Sequence, residues 1–535
     1  MTPKWCPEGF VVAAAKTRRQ RRAALPGDPL PVEGTTNAPA SPAACVPRKT
    51  KKKDDLGVDP DTLLEAVLRH EATYAFAEVV VLPDPSRGGR PRSYPLWVWF
   101  VLNAYVDACG SVRQAFTNLQ SEQRWSTVRT IAAEMIGVSP NEVLPERAPD
   151  RSWFHKTRKR HIVGHLDALR LALSEQGVGA ARDMGLLDPD KPFDLKDRTR
   201  YVIADGKVIA ARTQAAPGST LPVEVVNPET GEVLMMKRPV RSEPDAKLHT
   251  TGDKRVVNGV KLWHADVHGP ETHRHAIIAI DHVGDVKGGR NAENHVMMRN
   301  FRVLARLAPG VIGAITDGVS RGQELEEMQR DFGWLPIAPV AAGKRNEKTG
   351  ELLEEKNGPL SVIEVPGCDA GPVELWYYEG RVVKHLPVDD GRLVLGELVW
   401  KGTRSRKNKD GTFRRYVDYE VVCNCGQHQM VHSERTISND KDTERKLTRA
   451  ENVRAVPPGS KLFEDLSPLR SAIEGTNSRI DDHLPLRRAR SYGAANILLD
   501  LLGHAQWVNA YGCFLYGPGG TRRHEVADLA ERAAA

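Results

Sequence analysis

RYVIADGKVIAAR, residues 200–212, is a short, apolar segment rich in β-branched residues, the composition of a strand. Its aspartate, Asp205, is followed by Gly206, so it reads as the end of one strand, YVIAD, before a turn into a second, VIAAR. Downstream, EVVNPETGEVLMMKR (224–238) has the pattern of a hairpin around Asn-Pro-Glu-Thr-Gly. VNGVKLWHADV (257–267) and HAIIAIDHVGD (275–285) add two further strands. A helix is expected at ENHVMMRNFRVLARLAPG (293–310), then a buried strand at GVIGAITDG (310–318), then a helix at RGQELEEMQRDFG (321–333). Strands first, then alternating strand and helix, predict an α/β fold with a mixed sheet and flanking helices.

Beyond residue 335 the pattern changes. VIEVPG, VELWYYEG, RVVKHLPV, RLVLGELVWKG and RRYVDYEVVC are strands punctuated by Gly and Asp-Gly, so residues 335–450 read as a β-rich insertion. Its hairpin KGTRSRKNKDGTFRRY (401–416) carries Lys401, Arg404, Arg406, Lys407, Lys409, Arg414 and Arg415 against Asp410 alone, flanked by Phe413 and Tyr416. Such a patch suits phosphate contact.

The core resumes over 451–517 with SPLRSAIEGTNSRIDDHLPLRRARSYG (467–493). Ser467-Pro468 is a helix-start signal, and Leu469, Ala472, Ile473 and Ile480 form an apolar face. Arg470, Glu474, Asn477 or Ser478, and Asp481 fall on a neighbouring polar face. Pro485 stops the helix, and Arg487, Arg488 and Arg490 follow. Asp205 and Asp317, each at a strand end, and Glu474 on this helix are the carboxylates placed to hold two Mg2+ ions about 3.5–4 Å apart, with Mn2+ able to substitute. Asp266 and Asp281 also lie on strands and compete for the first role.

Upstream, residues 59–195 read as helical, with N-caps expected at Ser111, Ser126 and Ser152. The helix opened by Ser152 carries Lys156, Arg158, Lys159 and Arg160 in its first turns, a pattern that resembles a helix-turn-helix module reading duplex DNA. Residues 1–58 form a disordered tail, in which positions 1–53 hold eleven Lys/Arg against three acidic residues, and 518–535 form a C-terminal tail. The whole chain carries a formal net charge of +7, so the rest is balanced and any affinity for nucleic acid there rests on local patches. LWVWFVLNAYV (96–106) is too short to span a bilayer.

Seven scattered cysteines do not form a disulfide framework and point to a reduced compartment. Cys423, Cys425, His428 and His432 are close in sequence, but C-x-C-x2-H-x3-H lacks the usual C-x2–4-C spacing. Ordinary buried cysteines are therefore preferred there over a structural Zn2+ at Cys423 and Cys425. His264, Asp266 and His268 read as polar residues on a solvated strand face. No glycine-rich phosphate loop is present, which argues against nucleotide triphosphate chemistry.

ADGKVIAA, AITDGVSRG and LRSAIEGTNSRID…HLPLRRARSYG together resemble the three catalytic segments of bacterial insertion-sequence transposases of the DDE type, over residues 195–515. The resemblance implies an RNase H-like fold split by the insertion, and Asp205, Asp317 and Glu474 as the metal-binding triad. It also implies Arg470 as the arginine of the tyrosine-arginine-glutamate-lysine signature around the third acid. Ser467 stands at the signature's tyrosine position and Asp481 at its lysine position, so Arg479, Arg487 or Arg488 is expected to take over backbone contact. Expected partners are double-stranded DNA, as terminal inverted repeats and target, and a second copy of the chain; the expected location is the bacterial cytoplasm, at the nucleoid. A non-catalytic DNA-binding descendant and an RNase H-like nuclease without strand joining are the alternatives.

Overall fold

The computed structural model describes residues 58–82, 93–213, 219–226, 233–250, 255–285, 289–340, 344–345, 352–354, 357–386 and 394–521. The basic segments KTRRQRR and RKTKKK, the hairpin tip at 227–232 and positions 522–535 lie outside these residues.

The amino-terminal part is helical: α1 (Pro60–Arg69), α2 (Ala72–Glu78), α3 (Trp97–Ala108), α4 (Val112–Leu119), α5 (Glu122–Ile136), α6 (Pro140–Val143), α7 (Arg151–Thr157) and α8 (Leu166–Asp183). Asp59 caps α1 by accepting from the Thr62 amide at 3.1 Å, with Pro60 in the first turn. Ser111 caps α4 as expected. The other two expected caps fail: Ser126 lies inside α5, which starts after Ser121, and Asp150, not Ser152, caps α7 by accepting from the Trp153 amide at 2.6 Å. A carboxylate two residues earlier satisfies an end amide that Ser152, already inside the first turn, cannot reach.

The run at 96–106 becomes α3, buried from Trp97 to Asp107. Helix α15 (Ala494–Tyr516) covers it: Asn103 Nδ2 donates to the Leu499 carbonyl at 2.7 Å, and Gly503 lets the helices approach closely. A Cβ at Gly503 would stand 2.5 Å from Asn103 Nδ2. The amino-terminal helices thus share one hydrophobic cluster with α15, through Leu499, Leu502 and Trp507, rather than enclosing a core of their own. No helix among the described residues is long and apolar enough to cross a membrane.

The central sheet is built from β1 (Tyr201–Ala210), β4 (Lys247–Thr250), β5 (Val256–His268), β6 (His275–Val283), β7 (Gly313–Ile315) and β8 (Leu335–Ile337); β2 (Thr220–Val226) and β3 (Val233–Pro239) form a separate hairpin. The order runs β4-β5-β1-β7-β8, with β6 also on β5. β1, β5 and β6 are antiparallel, whereas β7 and β8 run parallel to β1 and are reached through α9 (Glu293–Leu307) and α10 (Gly322–Arg330). The chain is therefore mixed α/β with a mixed sheet and flanking helices.

Alternation along β1 sends Val202 and Ala204 into a cluster with Val296, Met297 and Phe301 of α9. Tyr201 and Ile203 enter a cluster on the other face with Leu462, Leu466 and Ile473. β1 also corrects the sequence reading: it is continuous through Asp205-Gly206, so Asp205 sits in mid-strand and the dipeptide is not a turn. Gly206 is needed for space, since a Cβ there would lie 1.8 Å from Glu293 Oε1 and 2.6 Å from Lys261 Cε.

Because β8 belongs to the central sheet, the β-rich insertion begins after Ile337 and not at 335. It contains the short pair β9 (Lys344–Arg345) and β10 (Leu352–Glu354). A four-stranded sheet follows: β11 (Asn357–Ile363), β12 (Val373–Tyr378), β13 (Arg381–Leu386) and β14 (Val394–Glu397). A three-stranded sheet completes it: β15 (Val399–Lys407), β16 (Phe413–Val422) and β17 (Gln429–Arg435). Short helices α11 (Asp440–Glu444), α12 (Arg449–Asn452) and α13 (Lys461–Leu466) lead back to α14 (Arg470–His483). Ser467 does not cap α14: it lies in a 3-10 turn joining α13 to α14, and Ser460 caps α13 instead, accepting from the Phe463 amide at 3.3 Å.

Candidate active site

Ile203 on β1 pairs with Ile315 on β7 in parallel register, and two residues further along each chain stand Asp205 and Asp317. Neighbouring strands lie about 4.8 Å apart, so the register brings the two chains together just before the two aspartates, whose charges interact. Asp317 sits just beyond the end of β7, where its Oδ1 accepts from the Val319 amide at 2.9 Å. Burial raises the Asp205 carboxyl above its ordinary value, and the Asp317 charge raises it further.

Helix α14 lies along the same face of β1. Ile473 meets Ile203, Asn477 Nδ2 donates to Asp205 Oδ2 at 2.9 Å, and Lys207 pairs with Asp481 at 2.6 Å. Arg470 is near enough for its charge to oppose the rise at Asp205, and its Nε is a buried donor with no hydrogen-bond partner among the described residues. Glu474 lies between Arg470 and Asn477 on this face, and its side chain is exposed. Asp481, which stands at the signature's lysine position, is paired with Lys207.

A buried chain of hydrogen bonds supports Asp205 from behind. His264 Nε2 donates to Asn477 Oδ1 at 2.9 Å, and its Nδ1 donates to Asp266 Oδ1 at 2.8 Å. With both ring nitrogens donating, His264 is an imidazolium. Burial works against that charge, but Asp266 outweighs it and raises the His264 value. Although burial raises Asp266, the His264 charge and hydrogen bond, with His268 a further 3.5 Å contact, hold it far below the usual carboxylate range. The expected solvated face of His264, Asp266 and His268 is therefore wrong: His264 and Asp266 are fully buried, and His264 packs against Asn477 of α14. Asp281 is likewise committed, to Arg170, Arg299 and Asn300. Neither competing acid is free for a metal, whereas Asp205 and Asp317 have no ion-pair partner among the described residues.

Lys207 and Glu293 are not singled out by the sequence, and neither Asn477 nor His264 is given a role at the site by it. Glu293 faces Gly206 and pairs with Lys261; burial raises it first, and the Asp317 and Asp205 charges add to that. Asn477 has a signal, shared with Ser478, in its place on the polar face of α14, and His264 has one in its period-two spacing with Asp266 and His268. Truncating Asn477→Ala removes the link between His264 and Asp205. It is expected to lower any Mg2+-dependent activity or metal affinity by about 10- to 100-fold while leaving circular dichroism unchanged.

Not all of the cationic residues face solvent. Lys156, Lys159 and Arg160 are exposed, but Arg158 turns inward to Asp500, Ser491 and the Asn496 carbonyl. Arg479 also points inward, to His275 Nε2 at 3.1 Å. On the hairpin, Arg404 is bound bidentate by Asp418, Lys401 pairs with Glu420 and Arg415 is buried. Arg406, Lys407, Lys409 and Arg414 stay exposed. Arg487 pairs with Asp482, Arg488 is half-buried beside Ala210, and Leu486 between them and Pro485 is 81 % exposed.

The donor set of Asp205, Asp317 and Glu474 is all oxygen, with a repelling pair and an exposed third member, which suits a hard divalent cation. Their oxygens are not drawn together within 4.8 Å, a spacing reached among the described residues by a cysteine group alone. No family model, curated protein or solved structure matches this chain.

Proposed function

We propose that the chain is a DNA transposase of the DDE insertion-sequence type, built on an RNase H-like core. The observation that carries this reading is that Asp205 on β1 and Asp317, two residues beyond the end of the parallel strand β7, are near enough for their charges to interact, beside a helix bearing Glu474. The strand order, three antiparallel strands followed by two parallel ones reached through helices, supports the same core. Asp205, Asp317 and Glu474 would hold Mg2+ or Mn2+, which would activate a water or a 3′-hydroxyl and stabilise the leaving oxygen of an in-line phosphoryl displacement. His264 and Asn477 hold the Asp205 carboxylate in one orientation, and Arg470 supplies positive charge beside it. Lys156, Lys159 and Arg160, the hairpin residues Arg406, Lys407, Lys409 and Arg414, and Arg487 and Arg488 would be the cations that meet the phosphates of element ends and target.

The test is incubation with Mg2+ and duplex DNA spanning the two genomic junctions of the segment that encodes the chain. Nicking at the junction followed by joining to a second duplex supports the transposase. Cleavage without joining makes it a nuclease, and binding without cleavage under any divalent ion makes it a DNA-binding protein. Binding has its own prediction: Lys156→Ala, Lys159→Ala and Arg160→Ala combined should weaken affinity across sequences. The slope of log K against log salt should fall by about 2–3, measured by fluorescence anisotropy.

A further inference from the structure

The β-rich insertion carries a second constellation unrelated to the carboxylates. Cys368, in the turn after β11, is 55 residues from Cys423, yet the sulfurs of Cys368, Cys423 and Cys425 all lie within 4.8 Å of one another. Cys423 Sγ is 2.9 Å from Cys425 Sγ, and Cys368 Sγ is 3.4 Å from Cys425 Sγ. Three sulfurs around one tetrahedral ion with bonds of about 2.3 Å stand about 3.8 Å apart, so the trio already approximates one face of such a site. Two turns create it. Gly367, at φ +78°, lets the chain reverse before Cys368, and Gly426, also at φ +78°, closes the turn between β16 and β17.

His428 is the candidate for a fourth donor, its ring nitrogens lying outside the group drawn together within 4.8 Å. The His428 amide donates to Cys423 Sγ at 3.3 Å, and its ring lies against the Gly367–Cys368 turn, Nδ1 being 3.6 Å from where a Gly367 Cβ would stand. The His428 ring has no hydrogen-bond partner among the described residues. His432, the other histidine of the sequence cluster, is committed to Glu434 at 3.2 Å. The Lys384 ammonium is bound to the Val422 and Cys423 carbonyls, at 3.0 and 3.1 Å.

We propose that Cys368, Cys423, Cys425 and His428 form a structural Zn2+ site that fastens the four-stranded sheet of the insertion to the three-stranded one. Binding converts the three thiols to thiolates, expels their protons to solvent and leaves the imidazole neutral, so no oxidant or reductant is needed. The site has a structural purpose. One small cluster, centred on Val373, Leu375, Val417 and Val421, is the apolar core that the two sheets share, and small cores commonly need a metal or disulfide staple. The C-x-C spacing looked unfavourable because the third cysteine enters from another strand pair, which a linear pattern does not display.

The proposal is independent of the reading of Asp205, Asp317 and Glu474, and its test needs no DNA. The full chain, purified with reductant and Zn2+ and then desalted, should contain one zinc per chain by elemental analysis. Exchange into Co2+ should give the thiolate-to-cobalt charge-transfer band and the intense visible bands of a tetrahedral site. Cys368→Ser, Cys425→Ser and His428→Ala should each weaken zinc binding at least about tenfold. His432→Ala and Cys513→Ser should leave it intact. Failure of the unsubstituted chain to retain zinc or to develop the cobalt bands overturns the proposal, whatever the variants do. Full zinc content in soluble Cys368→Ser overturns it as well. A stable disulfide between Cys368 and Cys425 that persists in reductant does the same.

Discussion

Asp317→Asn is expected to lower Mg2+-dependent cleavage of junction DNA by about a thousandfold or more. The charge stabilisation at stake is several kcal/mol, and about 1.4 kcal/mol corresponds to tenfold. The same substitution should leave the fold intact, because Asp317 has no ion-pair partner among the described residues and its amide replacement can still accept from Val319. It should even stabilise the metal-free protein. Burial and the Asp317 charge raise the folded Asp205 value above its unfolded one, so the folded state holds that proton more tightly. Stability from this group is full below the ordinary carboxylate value and is lost as pH rises through the raised one. Metal-free melting temperatures taken between pH 4 and 8 should therefore fall less steeply with pH in Asp317→Asn than in the unsubstituted chain. A variant that loses activity and melts early would indicate a structural aspartate instead.

The second large effect concerns Asp107, on the buried helix α3. Only 2 % exposed, it accepts from Arg490, from His504 Nδ1 at 2.7 Å and from Trp507 Nε1 at 2.8 Å. Its carbonyl accepts from His483 Nδ1 at 3.0 Å, which ties the end of α14 to the helical layer. Asp107→Ala leaves the buried Arg490 guanidinium uncompensated and should cost about 3–5 kcal/mol, read as a lowered midpoint in urea. Burial opposes the Asp107 charge, but Arg490 and the two histidines hold the carboxyl far below its usual range. Its contribution is thus present above the unfolded carboxylate value and is lost as pH falls through the acid range toward the folded one. The variant should lack that acid-side component of the stability curve. Activity should fall with stability, since α14 carries Glu474 and Asn477 and is anchored at its far end by this cluster.

Sequence and structure divide along a physical line. Periodicity in RYVIADGKVIAAR, HAIIAIDHVGD and GVIGAITDG, and in the helices around them, reflects which face of a local element is apolar. That property survives in any surroundings, so strands, helices and the α/β class were legible, as were the face of α14 and the hairpin at 401–416. Caps at Ser126, Ser152 and Ser467 were misplaced because other residues stood better placed to take the end amides. Asp205-Gly206 was misread as a turn for a different reason: the glycine answers to Glu293, which arrives from a distant helix.

What charged and polar residues do was decided by tertiary structure alone. A buried charge is tolerated only beside its partner, and that partner comes from whichever element packs there. Thus Asp266 and Asp281 belong to histidine and arginine clusters, Arg158 and Arg490 turn inward, and Asp205 rests on Asn477 and His264. Cys368 meets Cys423 and Cys425 in the same way, across two sheets. The sequence by itself determined the elements and the three carboxylates worth testing; packing chose which polar groups remain available to a metal or to DNA.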